Sequence, residues 1–326
     1  MNQVNVMQVV LSLRVGGLER VVVDLVNHAS DEFRLLVCCL EETGTWANEV
    51  SRAVALGKRS GVDWGLFRKL ARLARAENID VIHTHNSTAH FYGAIAGKLA
   101  GKRVLHTEHG VNVGHEARYR RLNRLAAPFT DLTVGVSSQL PGVPVVANGI
   151  DVERFARPRT AAGKRIGSVG RLVREKNYPL LIRAVTGIPG AELVLVGDGP
   201  LRGELTGAQV LGARADIAEL LSTFDVFALS SSTEGMSIAL LEAMAAACPI
   251  VVTAVGGNTE LIEDEVTGLV VPPDDEPALR KAIARLLDNG ALAGKLGAAA
   301  QQRARQQFSV TGMTRRYEEL WRRLAA

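Results

Sequence analysis

The chain has 326 residues, of which 47% are apolar and 22% are charged, and its formal net charge is +4. This length predicts two domains, each large enough to bury its own core. No apolar run reaches the roughly 18 residues of a membrane span. The net charge is small, and the basic residues are not interleaved with aromatic residues as they are on a nucleic-acid-binding surface. The N-terminus resembles no secretion signal, and the three cysteines lack metal-ligand spacing. We therefore expect a cytoplasmic protein with buried thiols and no nucleic-acid partner.

Short β-branched runs alternate with helical patterns along the first half of the chain. This alternation is typical of parallel sheets with crossover helices. The predicted strands are 4–12, 35–40, 79–83, 103–107, 132–136 and 143–147, and the predicted helices are 18–29, 66–77, 88–100 and 116–127. We interpret residues 1–157 as one doubly wound, Rossmann-like domain.

The alternation restarts at RIGSVG, after a predicted linker at about 150–163 in which Pro158 and Gly163 break the pattern. Later strands are predicted near 192–196, 208–211, 225–229, 250–253 and 268–271. Residues 158–308 thus form a second Rossmann-like domain of the same α/β class. Open parallel sheets bind ligands beyond the carboxyl ends of their strands, so we expect the two domains to face each other across a cleft.

The segment STEGMSIALLEAM at 232–244 places two carboxylates, Glu234 and Glu242, around the start of a predicted helix. Ser237 is a good N-cap and the apolar periodicity begins at Ile238, so Glu234 falls in the loop and Glu242 in the second turn. The helix start would bind an anion, and the carboxylates would accept hydrogen bonds from hydroxyl pairs. A nucleotide sugar has both features. The residues assigned to the anion site are Gly235, Met236, Ser237 and Ile238.

Two cations follow the first strand of the second domain. In GRLVREKN, Arg171 and Lys176 would neutralise a diphosphate and stabilise the charge that grows on it as it leaves. Surface cations are common, and the position after a strand and a glycine is what distinguishes this pair. The nearby GDGP lacks the third glycine of a dinucleotide fingerprint, and GAIAGKL at 93–99 lacks the spacing of a phosphate-binding Walker loop. We read the first as a strand-end turn and the second as plain helix.

Histidines stand at two strand ends of the first half. HTHN at 83–86 offers no third metal ligand, so we expect His85 to line a pocket on the acceptor side. His109 in TEHG lies beside a glycine that allows close approach of a ligand. A structural role remains the alternative for a lone histidine.

The segment HEARYRRLNRLAAP places Arg118, Arg121 and Arg124 near one helical face. Two interpretations stay open: a solvated helix face, or an interfacial helix that leans on anionic lipid headgroups. Under the second interpretation, Arg118 and Arg121 lie on the acceptor side.

In order along the chain, the motifs VGGLERVVVDLVNH, DVIHTHN, HTEHG, NGID, VGRLVREKN, LVGDGPLR and DVFALSSSTEGMSIALLEAM cover nearly its whole length. Together they resemble the retaining glycosyltransferases of family 4, which have the GT-B fold. The block around Gly16-Gly17, DVIHTHN and HTEHG is most similar to sugar transferases of bacterial exopolysaccharide clusters. The resemblance implies transfer of a hexose from a UDP- or GDP-sugar to a glycan or lipid-linked acceptor, in surface polysaccharide or glycolipid synthesis.

The resemblance also implies a role for each site residue. Glu234 contacts the hydroxyls of the donor sugar, Glu242 contacts the ribose, and His109 contacts the transferred sugar near the reacting centre. The donor pyrophosphate is assigned to Arg171 and Lys176, above a loop that carries Gly16-Gly17. We therefore expect no metal and no other cofactor, and an enzyme that works in the cytoplasm or on the inner face of the membrane.

The sequence departs from the family pattern at three places. SQLPGVP leaves no room for a helix that is usual after residue 138, and a second helix is missing between Arg202 and the strand near 208. Asn177 stands where a glycine is common. Finally, the resemblance implies that a helix at 309–326 returns to the first domain. The apolar stripe of that helix consists, by its spacing, of Tyr317, Leu320, Trp321 and Leu324.

Two alternatives have the same fold. A nucleotide-sugar epimerase would need an acid and base set for the sugar ring, and no such set is visible around Glu234. A non-catalytic nucleotide-sugar binder would fit the shortened crossovers, but the intact set of charged residues argues against it.

Overall fold

The computed structural model describes residues 3–110, 116–161 and 163–326, and the side chains of residues 116–119 lie outside that description. The chain divides into two compact units, Met1–Gly149 with Val310–Ala326, and Ile150–Ser309. The division comes earlier than residue 157, because α5 (Val152–Phe155) buries Phe155 against helices of the second unit. In the described residues, no helix combines the length and the apolar character that crossing a membrane requires.

The first unit is a sheet of six parallel strands in the order β3-β2-β1-β4-β5-β6. In chain order the strands are β1 (Val4–Val10), β2 (Phe33–Cys39), β3 (Ala53–Ala55), β4 (Val81–His85), β5 (Arg103–Glu108) and β6 (Leu132–Gly135). The crossover helices are α1 (Gly17–His28), α2 (Trp64–Ala76), α3 (Ser87–Ala100) and α4 (Glu116–Ala126). Three of them, α2, α3 and α4, pack side by side over one face of the sheet.

The sheet differs from the prediction in two respects: one predicted strand is absent and one strand was not predicted. Residues 143–147 form only an isolated bridge between Val145 and Gly135, because turns fill the segment where the crossover is short. Strand β3 was not predicted, since three residues of Ala and Val are too few to show a period. The segment GAIAGKL lies inside α3, which confirms that it is plain helix.

The last helix, α12 (Val310–Ala325), belongs to the first unit. Its buried Trp321 donates a hydrogen bond from Nε1 to His83 Nδ1 at 3.4 Å and packs edge-on to Phe33. The Tyr317 hydroxyl lies 3.1 Å from Thr107 Oγ1. The apolar stripe of this helix therefore covers polar atoms of β4 and β5 that would otherwise need water.

The second unit repeats the same topology, with the order β12-β11-β10-β7-β8-β9. Its strands are β7 (Arg165–Val169), β8 (Glu192–Val196), β9 (Gln209–Val210), β10 (Val226–Leu229), β11 (Ile250–Thr253) and β12 (Leu269–Val271). Its helices after α5 are α6 (Tyr178–Thr186), α7 (Ile217–Ser222), α8 (Ile238–Ala245), α9 (Asn258–Leu261), α10 (Glu276–Asp288) and α11 (Gly290–Gln307). Between β8 and β9 the chain makes only a short 3₁₀ turn, so the crossover is as short as the sequence predicted.

Each sheet has a switch point, where the strand order reverses. It lies between β1 and β4 in the first unit and between β7 and β10 in the second. At such a point the following loops diverge to opposite faces and leave a crevice at the carboxyl edge, which is where open α/β sheets bind ligands. The prediction of two doubly wound domains is confirmed. Gly16-Gly17, Arg171 and Glu234 lie in the segments that follow three of these strands, and His85 is the last residue of the fourth, β4.

Candidate functional site

In the second unit, hydrogen bonds join the loop after β7 to the loop after β10. Ser230 Oγ donates to the carbonyl of Lys176 at 2.9 Å, and the Ser232 backbone N–H donates to the carbonyl of Glu175 at 2.9 Å. Thr253 at the end of β11 donates from Oγ1 to the Ser231 carbonyl at 2.7 Å. These bonds fix the two sides of the crevice relative to each other.

Glycines let neighbouring loops approach at this edge. A Cβ atom on Gly197 would lie 1.9 Å from the Gly170 carbonyl oxygen, and the φ of Gly197 is +140°. A Cβ atom on Gly257 would lie 2.3 Å from the carbonyl oxygen of Gly235. Any side chain at either position would push apart the loops that carry the charged residues.

Asn177 replaces the common glycine at a backbone position that favours glycine. Its φ is +47° and its ψ is +43°, which is the left-handed region, and Asn tolerates this region better than most residues. Its amide donates to Asp274 Oδ1 at 2.8 Å. The departure from the family pattern therefore keeps the turn.

The two predicted cations of the second unit differ in their surroundings. Lys176 Nζ lies 2.5 Å from Glu234 Oε2, which also accepts a hydrogen bond from Ser231 Oγ at 3.0 Å. Both side chains of this ion pair are largely buried. Arg171 is exposed, and its guanidinium has no hydrogen-bond or ion-pair partner in the part of the chain that the structure describes. An incoming diphosphate would meet one available guanidinium, and it would compete with Glu234 for the ammonium group.

Helix α8 begins where the sequence predicted. Ser237 is its N-cap, and Ser237 Oγ accepts a hydrogen bond from the Leu240 N–H at 3.4 Å. Ile238 is the first helical residue, and Glu242 is half-buried in the second turn. Met236 and Ser237 are buried, so their backbone atoms, with Gly235, shape the entrance to the helix. The positive end of the helix dipole favours an anion at this entrance.

In the first unit, Gly16 is the N-cap of α1 and Gly17 is its first residue. The loop before them is held by backbone bonds from Leu13 N–H to the Thr43 carbonyl at 2.8 Å and from Trp46 N–H to the Leu13 carbonyl at 2.9 Å. A Cβ atom on Gly16 would lie 2.2 Å from Glu19 Oε2. Gly16 is therefore constrained by its local packing, and Gly17 leaves the helix start exposed.

His85 occupies a different position from the one we expected. It is the last residue of β4 and is fully buried, so it has no exposed surface with which to line a pocket. Its Nδ1 lies 3.0 Å from His109 Nε2, and its Nε2 lies 2.7 Å from Gln8 Oε1. His109 follows β5 and is half-buried. The sequence placed the two histidines at neighbouring strand ends, and the structure brings them into direct contact.

The other histidine of the HTHN motif has a structural role. His83 bonds through Nε2 to Thr107 Oγ1 at 2.8 Å, and its ring centre lies 5.0 Å from that of Tyr317 with the two rings tilted by 42°. Across the described ranges, no three His, Cys, Asp or Glu side chains lie close enough together to hold a metal ion.

Burial sets the protonation of these rings. It lowers the pKa of His83 and His85 well below the ordinary value and that of His109 to about 4. All three are therefore neutral at neutral pH. A neutral ring can donate from one nitrogen and accept at the other.

Comparisons with known proteins identify the family. The family model for glycosyl transferases group 1 matches residues 163–289, and the model for glycosyltransferase family 4 matches residues 15–154. A UDP-Gal:alpha-D-GlcNAc-diphosphoundecaprenol alpha-1,3-galactosyltransferase of Escherichia coli is 30% identical over 68% of this chain and 70% of its own length. The chain belongs to glycosyltransferase family 4.

Two further matches extend along nearly the whole glycosyltransferase. A lipopolysaccharide core biosynthesis glycosyltransferase of Rhizobium meliloti, LpsE, is 26% identical over 94% of this chain and 95% of its own. The crystal structure of Anabaena HepE in complex with UDP-glucose has a TM-score of 0.87, with 23% identity over 98% of this chain and 99% of that chain. The fold of each unit is that of the GT-B glycosyltransferases.

In the glycosyltransferase, α4 presents its arginines to solvent. Arg120, Arg121 and Arg124 are exposed, and the side chain of Arg118 lies outside the described residues. The opposite side of the helix is tied down, since Asn123 Nδ2 donates to Glu108 Oε2 at 3.0 Å. Arg121 and Arg124 therefore lie on the exposed side of a helix whose inner side is fixed.

Sequence reasoning missed two polar residues that contact the predicted set. Gln8 is the buried partner of His85, and Ser231 is the buried partner of Glu234. Gln8 left a signal, as the single polar side chain within the apolar run VMQVV. Ser231 left none, because it stands in a run of three serines whose orientations the sequence does not distinguish.

We expect acid to destabilise the first unit of the glycosyltransferase selectively. All seven histidines and all three tryptophans of the chain lie in that unit. Burial lowers the pKa of His83 and His85, and that of His90 to about 3, whereas an unfolded histidine has a pKa of about 6.5. Below pH 6.5 the unfolded unit binds protons that the folded unit does not. The free energy of unfolding therefore has its full value above pH 6.5 and decreases as the pH falls below 6.5.

Each such histidine should lower the free energy of unfolding by about 1.4 kcal/mol for each pH unit below 6.5. Urea unfolding between pH 7.5 and 5.5, followed by tryptophan fluorescence, measures the first unit alone. The control is the urea midpoint at which a thiol reagent labels Cys248 of the second unit, in a variant whose Cys38 and Cys39 are replaced by alanine, and this midpoint should stay constant. A first-unit midpoint that does not change with pH, or two midpoints that fall together, would contradict the expectation.

Proposed function

We propose that the chain transfers a hexose from a nucleotide diphosphate sugar to a glycan or lipid-linked acceptor, with retention of the anomeric configuration. The observation that carries this proposal is the set of side chains at the switch point between β7 and β10. Arg171, Lys176 and the start of α8 suit a diphosphate, and Glu234 and Glu242 suit sugar hydroxyls. A ligand without a diphosphate would leave the two cations unused, and a ligand without a sugar would leave the two carboxylates unused.

In the proposed reaction, the bond between the anomeric carbon and the diphosphate oxygen breaks as the acceptor hydroxyl oxygen bonds to the same face of that carbon. The acceptor proton passes to an oxygen of the departing diphosphate. Arg171 and Lys176 stabilise the charge that develops on the diphosphate, which is the largest electrostatic demand of the step. Glu234 and His109 orient the sugar. No side chain is needed as a nucleophile.

Relatives support a UDP-sugar donor, with a GDP-sugar as the second candidate from sequence. HepE was crystallised with UDP-glucose, and the E. coli relative is named for UDP-Gal. Incubation with UDP- and GDP-sugars, with and without a lipid-linked acceptor, tests the function. A transferase releases nucleotide only with the acceptor present. An epimerase converts the sugar without release, and a binder does neither.

We propose a lipid-linked or glycan acceptor of surface polysaccharide synthesis, met at the cytoplasmic face of the membrane. The E. coli relative is named for a diphosphoundecaprenol acceptor and the Rhizobium relative for lipopolysaccharide core biosynthesis. Helices α2, α3 and α4 support such a location. They expose Trp64, Leu99 and Leu125 among the basic side chains Arg68, Arg72, Arg75, Lys98, Arg120, Arg121 and Arg124. Anionic headgroups attract such a surface and the apolar side chains enter the interface.

Replacing the two carboxylates one at a time should separate binding from transfer. Glu242→Ala should weaken donor binding by about 10- to 100-fold, because it removes charged hydrogen-bond acceptors. Glu234→Ala should lower kcat by about 100-fold and leave donor affinity almost unchanged, because it also releases Lys176 to the diphosphate. Calorimetric titration and steady-state kinetics measure the two effects.

The control is Glu192→Ala, an exposed carboxylate at the amino end of β8, on the opposite edge of the sheet. It should change neither quantity. Equal losses of affinity for the two site variants, with kcat unaffected, would show that both carboxylates only bind.

We further propose that transfer needs no metal, since Arg171 and Lys176 supply the positive charge at the diphosphate. Rates in EDTA should therefore match rates in magnesium or manganese, as measured by nucleotide release. Loss of activity on chelation, with recovery when either metal is added, would disprove this proposal.

Membrane attachment should depend on the arginines of α4. Each basic residue near an anionic surface contributes about 1 kcal/mol, so reversing three of them should abolish weak binding. We expect Arg118→Glu, Arg121→Glu and Arg124→Glu together to prevent cosedimentation with anionic liposomes and to leave donor binding unchanged.

The matched control replaces three exposed lysines of the second unit by glutamate and so makes the same change in net charge: Lys164→Glu, Lys281→Glu and Lys295→Glu. This control should still bind the liposomes. Wild-type protein that ignores anionic liposomes at low salt would indicate a solvated helix face and a soluble acceptor.

A further inference from the structure

Three polar side chains form a chain of hydrogen bonds across adjacent strands of the first sheet. Gln8 lies in β1, His85 ends β4, and His109 follows β5. The two links measure 2.7 Å and 3.0 Å between the polar atoms. Gln8 and His85 are fully buried and His109 is half-buried. Only the His109 end of this chain of hydrogen bonds is accessible to a ligand.

The donors and acceptors along this chain determine one another. Gln8 Oε1 can only accept, so His85 Nε2 carries a proton. Because His85 is buried and neutral, its Nδ1 is then the acceptor, and His109 Nε2 must donate to it. The remaining nitrogen, His109 Nδ1, has a free lone pair and no hydrogen-bond partner within the described ranges.

We propose that Gln8 and His85 are positioning residues, which hold His109 as the Nε2–H tautomer so that Nδ1 accepts a hydrogen bond from a hydroxyl of the transferred sugar. This inference rests on the proposed function, in which His109 contacts that sugar. It assigns a role to two residues that have no access to substrate.

Burying the Gln8 amide destabilises the fold, which argues against a role for this side chain in packing alone. Its Nε2 is buried and has no hydrogen-bond partner among the described residues. A buried polar group without a partner destabilises the fold, and an apolar side chain at this position of β1 would avoid the penalty. The benefit of Gln8 lies in the hydrogen bond that its oxygen accepts.

The tautomer of His109 is measurable without any substrate. Nitrogen NMR of the full-length protein, labelled with ¹⁵N-histidine, distinguishes a protonated from an unprotonated ring nitrogen, and a His109→Asn spectrum assigns the signal. We expect Nε2 to carry the proton in the wild type, and a mixture of tautomers in Gln8→Leu. A wild-type ring protonated at Nδ1 would reverse every proton in the chain and overturn the proposal.

Kinetics give the second readout. Gln8→Leu should lower kcat by about 10-fold while the donor KM changes less than twofold, and Gln8→Glu, whose carboxyl group still accepts from His85, should recover most of the loss. The control is Thr107→Val, which removes buried hydrogen bonds to His83 and Tyr317 in the same sheet. It should lower the melting temperature and leave kcat unchanged.

The outcomes separate the two proposals. A wild type that transfers sugar from no donor overturns the proposed function, and the NMR measurement still tests the tautomer. An active wild type whose Gln8→Leu variant has the same kcat, or loses no more than Thr107→Val, overturns the positioning role.

Discussion

The reversal of strand order within a parallel sheet is the constraint on which the rest of this structure depends. Both units have the same order, and in each the reversal separates two loops that leave the carboxyl edge toward opposite faces. The backbone N–H groups at the following helix starts then point into the crevice between the loops. Gly16-Gly17 and His109 in one unit, and Arg171 and Glu234 in the other, lie at these edges.

Electrostatics at the second switch point explain why this edge needs such close packing. The ion pair of Lys176 and Glu234 is largely shielded from water, so its two loops must be held within hydrogen-bond distance. Ser230 and Ser231 supply that connection, and Gly197 and Gly257 allow the neighbouring loops to approach. A charged pair that is poised against a ligand is stable only when its surroundings satisfy it, because an unpaired buried charge is costly.

Periodicity and caps made most of the fold predictable from sequence. The alternation of apolar runs predicted both sheets, and the N-cap preference of serine located the start of α8 at Ile238. Burial was less predictable: His85 looked like a pocket residue because it ends a strand, and only the neighbouring strands show that Gln8 and His109 cover it. Contacts between strands distant in sequence, such as these, leave no local pattern, and β3 is too short to leave one.

We infer that a nucleotide sugar binds at the switch point between β7 and β10. Hydrogen–deuterium exchange of the full-length protein, with and without a UDP-sugar at saturation, tests it directly. We expect slower exchange in the loop at 171–177 and at the start of α8, with β8 and β9 unchanged at their amino ends. Protection that is confined to other segments, or a folded protein in which no nucleotide sugar slows exchange in this loop, would contradict it.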